Sequence, residues 1–269
     1  TIDTIATKIY SKRIQIAPVG FEIDRVVIIA KGGTFKDPNG NDIEVHKAEK
    51  VYLLIHRHKS KDKAGKYAAR IQKDLKAVNI ETETVPCNWE NIEEITRVVR
   101  DLILQETDNE IVLNLSSGSK NHSVGFDRAC MTLEKRDHVR MLGVKPKKWA
   151  APKYPKQLST GVSTVTVIGI HRVIPPPKEL IFAMKVIKQD SIDIPYNKGK
   201  KGVKKKDLAK SLFGNNNNVA LTKLQRTITQ PLQDTWLAIK IIKVGRSDWI
   251  SLTKEGRYLR YVLDKQETY

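Results

Sequence analysis

Apolar runs alternate with segments of helical spacing over residues 1–150 of the chain. The runs are short and rich in β-branched residues, which is typical of buried strands, whereas the segments between them place apolar residues three or four positions apart, as on one face of a helix. A steady alternation of this kind predicts a parallel α/β sheet with right-handed crossovers and helices on both faces. The predicted strands lie at 14–17, 50–57, 81–86, 111–115 and 139–144.

Four helices are predicted between these strands. Asp24 is expected to cap the first helix, and the segment 88–91 supplies cap residues for the third. The loop 31–42 is dense in Gly, Pro, Asn and Asp, so we expect either a hairpin or a mobile insertion there. The predicted helices lie at 21–30, 63–78, 92–105 and 123–135.

The residues that follow each strand are the candidate ligand positions, because ligands of parallel α/β sheets bind outside the carboxyl ends of the strands. They include 18–21 after the first strand, Arg57 after the second and Trp89 after the third. Arg57 is interpreted either as a solvated charge or as a ligand clamp, and Trp89 as core packing rather than as a platform for stacking a base.

The fourth strand ends in a turn of small residues, Ser116 to Lys120, which leads into a helix. Small side chains let a ligand approach the backbone, N–H groups at the start of a helix favour an anion, and a lysine adds positive charge. A tight turn without a ligand explains the same residues equally well. The pattern is not the nucleoside-triphosphate loop, because the spacing GxxxxGK[ST] is absent.

Other chemistries are disfavoured by the sequence. The segment PVGFEIDR lacks the GxGxxG pattern of nicotinamide-cofactor sites, and no Ser-His-Asp order or paired-carboxylate motif is present. No Cys/His cluster has zinc spacing, and we expect His56 and His58 to point to opposite faces of their strand. The sequence therefore predicts no cofactor, no metal site and no catalytic residue.

The second half of the chain has a different element pattern. A Lys- and Pro-rich connector at 145–157 precedes a strand at 163–170, which belongs either to the first domain or to an arm against a twin subunit, and three prolines at 175–177 form a stiff joint. A helix, a short helix, a turn, a long helix, two strands and a closing helix that begins at Thr253 then follow, and this order is typical of a winged helix-turn-helix. The first helix is predicted at 179–189, the short helix at 207–213, the turn at 214–218 and the long helix at 219–236, with a kink or end near Pro231. The two strands are predicted at 238–244 and 249–252.

The formal net charge of +18 and the pI near 9.8 favour a polyanionic partner. Positive charge is concentrated in the second half, which makes double-stranded DNA the favoured partner over a protein-interaction module with solvated lysines. The predicted DNA contacts are Lys204, Lys205 and Lys206 at the start of the second helix, Thr222, Lys223 and Arg226 on the recognition helix with Thr229 as a further candidate, and Arg246 at the tip of the wing.

The remaining composition bears on location. Two cysteines, Cys87 and Cys130, are too few for a disulfide framework and fit a reducing cytoplasm. No apolar run is long enough to span a bilayer, so we expect no membrane partner. The first residues lack both Met and a hydrophobic signal core, which predicts a trimmed chain without a secretory signal.

Two motifs resemble a known family. The segment IQIAPVGFEIDRVV, with PVGF followed by Asp24-Arg25, resembles the opening of archaeal regulators that join a CRISPR-associated Rossmann-fold (CARF) sensor to a C-terminal winged helix. The segment NLSSGSK is similar to the turn that CARF domains carry after their fourth strand, although other members often have TGG or SGG there. The resemblance implies a sensor domain at 1–150, a connector with a strand at 151–177 and a DNA-binding winged helix-turn-helix at 178–269.

The resemblance further implies a homodimer that binds a cyclic oligoadenylate or related nucleotide across its twofold axis. By position, Pro18, Val19, Gly20 and Phe21 would line the pocket from the first strand, and Ser116, Ser117, Gly118, Ser119 and Lys120 would hold phosphates and riboses. The predicted function is a ligand-responsive transcription regulator. The alternatives are a ring nuclease that cleaves its own ligand, with Lys120 and His122 as the candidate groups, and a DNA-binding protein whose sensor half serves only to dimerise.

Overall fold

The computed structural model describes residues 10–133, 137–149, 157–170 and 175–264, in two compact units at 1–174 and 175–269. Each unit is considered on its own. The first nine residues, Lys135 at the end of the fourth predicted helix, and 150–156 in the predicted connector lie outside the described residues. In the part of the chain that the structure describes, no helix has the length and apolar character needed to cross a membrane.

Unit 1 alternates strands and helices in the order that the sequence predicts. The third predicted helix forms where expected, because the Asn91 side chain caps it by accepting a hydrogen bond from the backbone N–H of Glu94. The elements are β1 (Arg13–Pro18), α1 (Asp24–Lys31), β2 (Gly33–Lys36), β3 (Asp42–Val45), β4 (Lys50–His56), α2 (Gly65–Lys76), β5 (Glu81–Cys87), α3 (Ile92–Gln105), β6 (Glu110–Asn114), α4 (Lys120–Met131), β7 (Val139–Lys145), β8 (Lys148–Trp149), β9 (Ser159–Thr160) and β10 (Thr164–Ile168).

Six of these strands form one sheet in the order β10-β7-β6-β1-β4-β5. The pairs β1–β4, β1–β6, β4–β5 and β6–β7 are parallel, and β10 closes the edge antiparallel to β7. The predicted parallel α/β sheet is confirmed, and it is Rossmann-like. The chain first adds strands on one side of β1 and then crosses to add β6 and β7 on the other side, so the strand order reverses between β1 and β6.

The core lies on both faces of this sheet. On one face Ile14 and Ile16 of β1 pack with Ile95 of α3 and Phe126 of α4, whereas Leu53 of β4 belongs to the cluster on the opposite face. Successive residues of a strand point to opposite faces, so strands covered on both sides must be apolar at nearly every position. This requirement explains the continuous apolar runs of β4 and β6, whereas the edge strand β5 alternates Glu and Thr and is largely exposed.

Several boundaries in unit 1 differ from the prediction. The loop 31–42 opens the hairpin β2–β3, which was one of its two expected forms, and the segment 163–170 supplies β10 of the main sheet. α4 begins at Lys120 rather than at residue 123, because Ser119 ends the extended turn. Asp24 does not cap α1. It is the first helical residue, and its carboxylate instead accepts a hydrogen bond from the backbone N–H of Gly161 at 2.7 Å.

Unit 2 contains helices packed on a four-stranded antiparallel sheet of order β11-β12-β14-β13. Its own apolar core includes Leu180, Met184, Leu208, Leu224 and Ile250. The elements are α5 (Lys178–Gln189), β11 (Ile192–Asp193), β12 (Lys201–Lys204), α6 (Lys205–Phe213), α7 (Asn218–Leu224), β13 (Ile239–Val244), β14 (Ser247–Leu252) and α8 (Lys254–Leu263), with π-helical turns at Gln225–Thr229 and Pro231–Thr235.

The predicted long helix at 219–236 is helical but not α-helical throughout. Asn217 caps it through a bond from the backbone N–H of Ala220, so it begins at Asn218, inside the predicted turn. Beyond Leu224 the turns widen to the π form, which Pro231 favours because it has no N–H to donate. The closing helix was predicted to begin at Thr253, and Thr253 is its N-cap: the hydroxyl accepts a hydrogen bond from the backbone N–H of Gly256 at 3.0 Å, and α8 follows from Lys254.

Candidate functional site

The candidate site is centred on a backbone contact between the ends of β1 and β6. A Cβ atom on Gly20 would lie 2.5 Å from the backbone nitrogen of Gly118, and one on Gly118 would lie 2.8 Å from the Cβ of Pro18. Gly118 also has a φ of +81°, which strongly favours glycine. Only two glycines let the strands end this close together, at the point of the sheet where strand order reverses.

The serines of the turn are engaged inside the protein. The hydroxyl of Ser117, which is buried, accepts a hydrogen bond from the backbone N–H of Gly20 at 2.9 Å. The hydroxyl of Ser116 accepts one from the backbone N–H of Val144 at 2.6 Å, and its own N–H donates to the Asn114 side chain at 3.0 Å. These bonds tie β6 to β1 and β7 and fix the path of the turn.

His122, on the first turn of α4, fixes the Ser116–Lys120 turn through a hydrogen bond to its backbone. Its Nδ1 accepts a hydrogen bond from the backbone N–H of Ser119 at 3.0 Å, and its side chain is buried. Burial, together with the neighbouring His56, lowers the pKa of His122 to about 4. The ring is therefore neutral near pH 7, with its proton assigned to Nε2 by the bond that Nδ1 makes. A buried neutral imidazole orients the turn and is poorly placed to act as an acid or base on a ligand.

Trp89 joins three strand ends through edge-to-face ring contacts. Its ring centroid lies 4.9 Å from that of His122 and 5.6 Å from that of His56, and its carbonyl accepts a bond from the Asn121 side chain. Trp89 also packs against the core on both faces of the sheet. No sequence pattern predicted this stack, because its members are brought together only by the sheet order.

The expectation that His56 and His58 point to opposite faces is wrong. β4 ends at His56, and the chain bends directly after it, so that the two ring centroids lie 5.9 Å apart and the His58 backbone N–H donates to His56 Nδ1 at 3.0 Å. Among the described residues, no group of three or more His, Cys, Asp or Glu side chains is arranged to hold a metal ion.

The turn carries backbone donors without a protein acceptor, together with exposed positive charge. Gly118, Ser119 and Lys120 are exposed, and within the described part of the chain the backbone N–H groups of Gly118, Lys120 and Asn121 donate to no protein acceptor. Further exposed lysines lie at or beyond the ends of β4 and β7, at Lys59, Lys61, Lys63, Lys145, Lys147 and Lys148. Lys61 pairs with Glu90 at 3.5 Å. This surface favours an anion over a cation or an apolar ligand.

The other predicted ligand residues contribute differently. Pro18 touches the turn, whereas the Val19 side chain is fully buried in the core and Phe21 packs edge-to-face on Tyr67 at 5.5 Å. Arg57 lies at the end of β4, where its guanidinium pairs with Glu94 at 2.6 Å. Of the predicted ligand residues outside the turn, Pro18 and the Gly20 backbone therefore contact it. The side chains of Val19, Phe21 and Arg57 instead contact the core, Tyr67 and Glu94.

The start of α1 is closed by the protein itself. The side-chain oxygen of Gln157 accepts hydrogen bonds from the backbone N–H groups of Ile23 and Asp24, both at 3.0 Å. Beside it, the buried Glu22 pairs with Arg25 at 2.8 Å and accepts a bond from Ser159. At the start of α4, Ser119 and His122 form a capping box, and among the described residues the backbone N–H groups of Lys120 and Asn121 are left without a protein acceptor there. Nothing in the local sequence indicates the Gln157 contact, because it joins segments more than 130 residues apart.

The predicted DNA contacts form a mixed set in unit 2. Lys204, Lys206, Arg226 and Arg246 are exposed, the last in the turn between β13 and β14. Lys205 is half-buried and donates to the Gln225 side chain at 2.6 Å, whereas the exposed Lys223 lies 4.7 Å from the ring centroid of Phe213. The exposed Thr222 uses its hydroxyl to bond the carbonyl of Asn218.

Thr229 is the exception among these residues. It is fully buried, and its hydroxyl donates to Gln225, so its expected exposure is wrong. The π-helical turn accounts for this, because a wider turn rotates the residues that follow it relative to an α-helix.

Unit 2 also carries most of the net charge. Residues 175–269 contain 19 Lys and Arg against 9 Asp and Glu, which is +10 of the +18 in about a third of the chain. The charge is therefore denser in unit 2 than in unit 1, as expected of a surface that meets a polyanion.

A family model described as "HFX_2341_N:-like, N-terminal" matches residues 13–149. No match to a curated protein is found. Among solved structures, the chain is similar to Enterococcus italicus Csm6 bound to cyclic hexa-2'-fluoro-hexa-dAMP, with 14% identity and a TM-score of 0.35 over 52% of this chain and 35% of that one. It is also similar to Can2 from Sulfobacillus thermosulfidooxidans in complex with cyclic tetra-adenylate, with 13% identity and a TM-score of 0.37 over 93% of this chain and 61% of that one. The chain thus spans about a third and about three fifths of these two proteins, and similarities this weak identify neither a ligand nor an activity.

The buried state of His122 predicts a pH dependence of stability. An unfolded chain has a histidine pKa of about 6.5, so the unfolded state binds more protons than the folded state between that pH and about 4. The stabilisation is complete above pH 6.5 and is lost as the pH falls, by about 3 kcal/mol in total. His122→Asn keeps an acceptor for the Ser119 N–H but does not titrate. Urea unfolding between pH 4 and 7 should show a steeper loss for the wild-type protein, and parallel curves would contradict this assignment.

Proposed function

The chain belongs to the family whose N-terminal domain is described as HFX_2341_N:-like, and on that premise we propose that it is a ligand-responsive, DNA-binding transcription regulator. Its first unit senses a cyclic oligoadenylate or related nucleotide, and its second unit binds double-stranded DNA. The observation that carries the sensor half is the Gly20–Gly118 contact, which places open backbone donors at the reversal point of a Rossmann-like sheet.

A cyclic phosphodiester suits this surface for three reasons. Its phosphates are anions that free backbone N–H groups and Lys120 can meet with charge-assisted bonds. The absence of side chains at Gly20 and Gly118 lets the two strand ends meet, which brings the donors of the turn to the point where the strand order reverses. The motifs PVGF and NLSSGSK resemble those of CARF sensors, for which cyclic oligoadenylate is the implied ligand.

We propose that two copies of the chain complete the pocket. One turn offers only a few donors on one side of a ligand, whereas two copies related by a twofold axis would surround a cyclic ligand that has the same symmetry. An isologous pair also gives two equivalent second units, which suits a palindromic DNA site.

The second unit is proposed to be a winged helix-turn-helix. Its elements follow the required order, with α6 and the helical segment 218–235 as the reading pair and the β13–β14 hairpin as the wing. The exposed cations Lys204, Lys206, Lys223, Arg226 and Arg246 would contact phosphates or guanine edges. A ligand switches such a protein only if it binds the DNA-competent and DNA-incompetent states unequally.

The rival proposal is a ring nuclease that cleaves the same ligand. Lys120 is exposed at the turn and remains a candidate for stabilising charge. His122, the candidate acid or base, is buried and neutral, which favours sensing over cleavage.

Lys120→Ala should weaken binding of cyclic tetra-adenylate or cyclic hexa-adenylate by about tenfold, since one charge-assisted contact to a phosphate is lost. The matched control is Lys31→Ala, which removes an exposed lysine at the carboxyl end of α1, away from the turn. Calorimetric titration measures both variants. Equal affinities for wild type and Lys120→Ala would contradict the site, and cleavage of labelled ligand after long incubation would favour the nuclease.

Arg226→Ala should weaken DNA binding and reduce the slope of log affinity against log salt by about one, because one phosphate or base contact is removed. Lys188→Ala on α5 is the matched control, since it removes an exposed cation outside the reading pair. Fluorescence anisotropy on duplex DNA at several salt concentrations, with and without the cyclic nucleotide, measures both effects. Affinity that is independent of the nucleotide would contradict the switch while leaving DNA binding intact.

A further inference from the structure

The exposed face of the helical segment 218–235 begins with an apolar side chain. Val219 is 76% exposed, whereas Ala220 and Leu224 on the opposite face are buried in the core of unit 2. A valine in this setting has low helix propensity and contributes no core packing. Its side chain is therefore available for a contact outside the chain.

Thr222 adds a second apolar group beside Val219. The two residues are three positions apart, so they are neighbours on the helix surface. The Thr222 hydroxyl donates to the backbone carbonyl of Asn218 at 2.9 Å, which occupies its hydrogen and leaves the methyl group for outside contact. The exposed strip thus starts with the Val219 and Thr222 methyl groups rather than with polar readers.

Cations border this apolar strip. Lys223 and Arg226 are exposed on the same side of the segment, and the Lys223 ammonium is held 4.7 Å from the Phe213 ring centroid. The Val219 and Thr222 methyl groups, flanked by cations, fit a polyanion that has an apolar group close to its phosphates. In the major groove of duplex DNA that group is the 5-methyl of thymine.

We propose that Val219, supported by the Thr222 methyl group, is a specificity residue that reads a thymine methyl in the major groove. The inference rests on the proposed DNA-binding function and deepens it, because it names the base that the segment prefers. Lys223 and Arg226 anchor the segment to phosphates or guanine, and Val219 discriminates between thymine and bases without a methyl group at that edge.

The test exchanges thymine for deoxyuridine, which lacks only the methyl group. Duplexes that the full chain prefers are first selected from a random library, and each thymine is then replaced singly by deoxyuridine. For the wild-type chain, one or two replacements should weaken binding about fourfold, as expected for loss of one buried methyl group. Val219→Ala should reduce that difference to about twofold or less, because most of the apolar contact is lost while the Thr222 methyl group remains. It should keep the affinity for nonspecific duplex, since the phosphate contacts are unchanged.

Phe182→Ala serves as the matched control, because it removes another large exposed apolar side chain of unit 2, on α5. It should retain the full discrimination between thymine and deoxyuridine. Sequence-specific DNA binding with no deoxyuridine effect, or an effect that is undiminished in Val219→Ala, would overturn this inference while DNA binding stands. Failure to select any duplex would overturn the proposed DNA-binding function and this inference together.

Discussion

The close approach of Gly20 and Gly118 is the contact on which the sensor surface depends. A side chain on either residue would collide with the backbone of the other strand end or with Pro18, so the turn after β6 can occupy its place only with glycine at both positions. The contact lies where the strand order reverses between β1 and β6, the position at which parallel α/β sheets bind their ligands. At this point backbone meets backbone without an intervening side chain.

Around that contact, some polar groups bond within the protein and others have no protein partner. Ser116, Ser117 and His122 spend their polar groups on the interior, fixing the turn to neighbouring strands and to α4. The start of α1 is satisfied by Gln157. Among the described residues, N–H groups at the start of α4 have no protein acceptor, and exposed lysines lie at or beyond the ends of β4 and β7. This combination favours a polyanion. A buried, neutral His122 fits this division, because a cation there would lose its bond from the Ser119 N–H.

Periodicity in the sequence was sufficient to predict the parallel sheet, because strands buried on both faces must be apolar and their helices amphipathic. The glycine turn was also visible as a break from apolar to small residues. The edge-to-face cluster of His56, Trp89 and His122 has no signal in the sequence, because only the strand order places these three distant segments side by side. An α-helical period places Thr229 on the exposed face, whereas the segment forms π turns and Thr229 is buried. Contacts between distant segments and local changes of helix type leave no periodic signal.

The most direct test of the central claim is to follow the backbone N–H signals of Gly118 and Lys120 by nitrogen–proton NMR while cyclic tetra-adenylate or cyclic hexa-adenylate is added. These amides lack protein acceptors in the structure, so a phosphate that binds them should shift both signals and slow their exchange with solvent. The Gly20 amide, already bonded to Ser117, should keep its protection. Saturable binding that leaves Gly118 and Lys120 unchanged, or no binding of either nucleotide, would contradict the account.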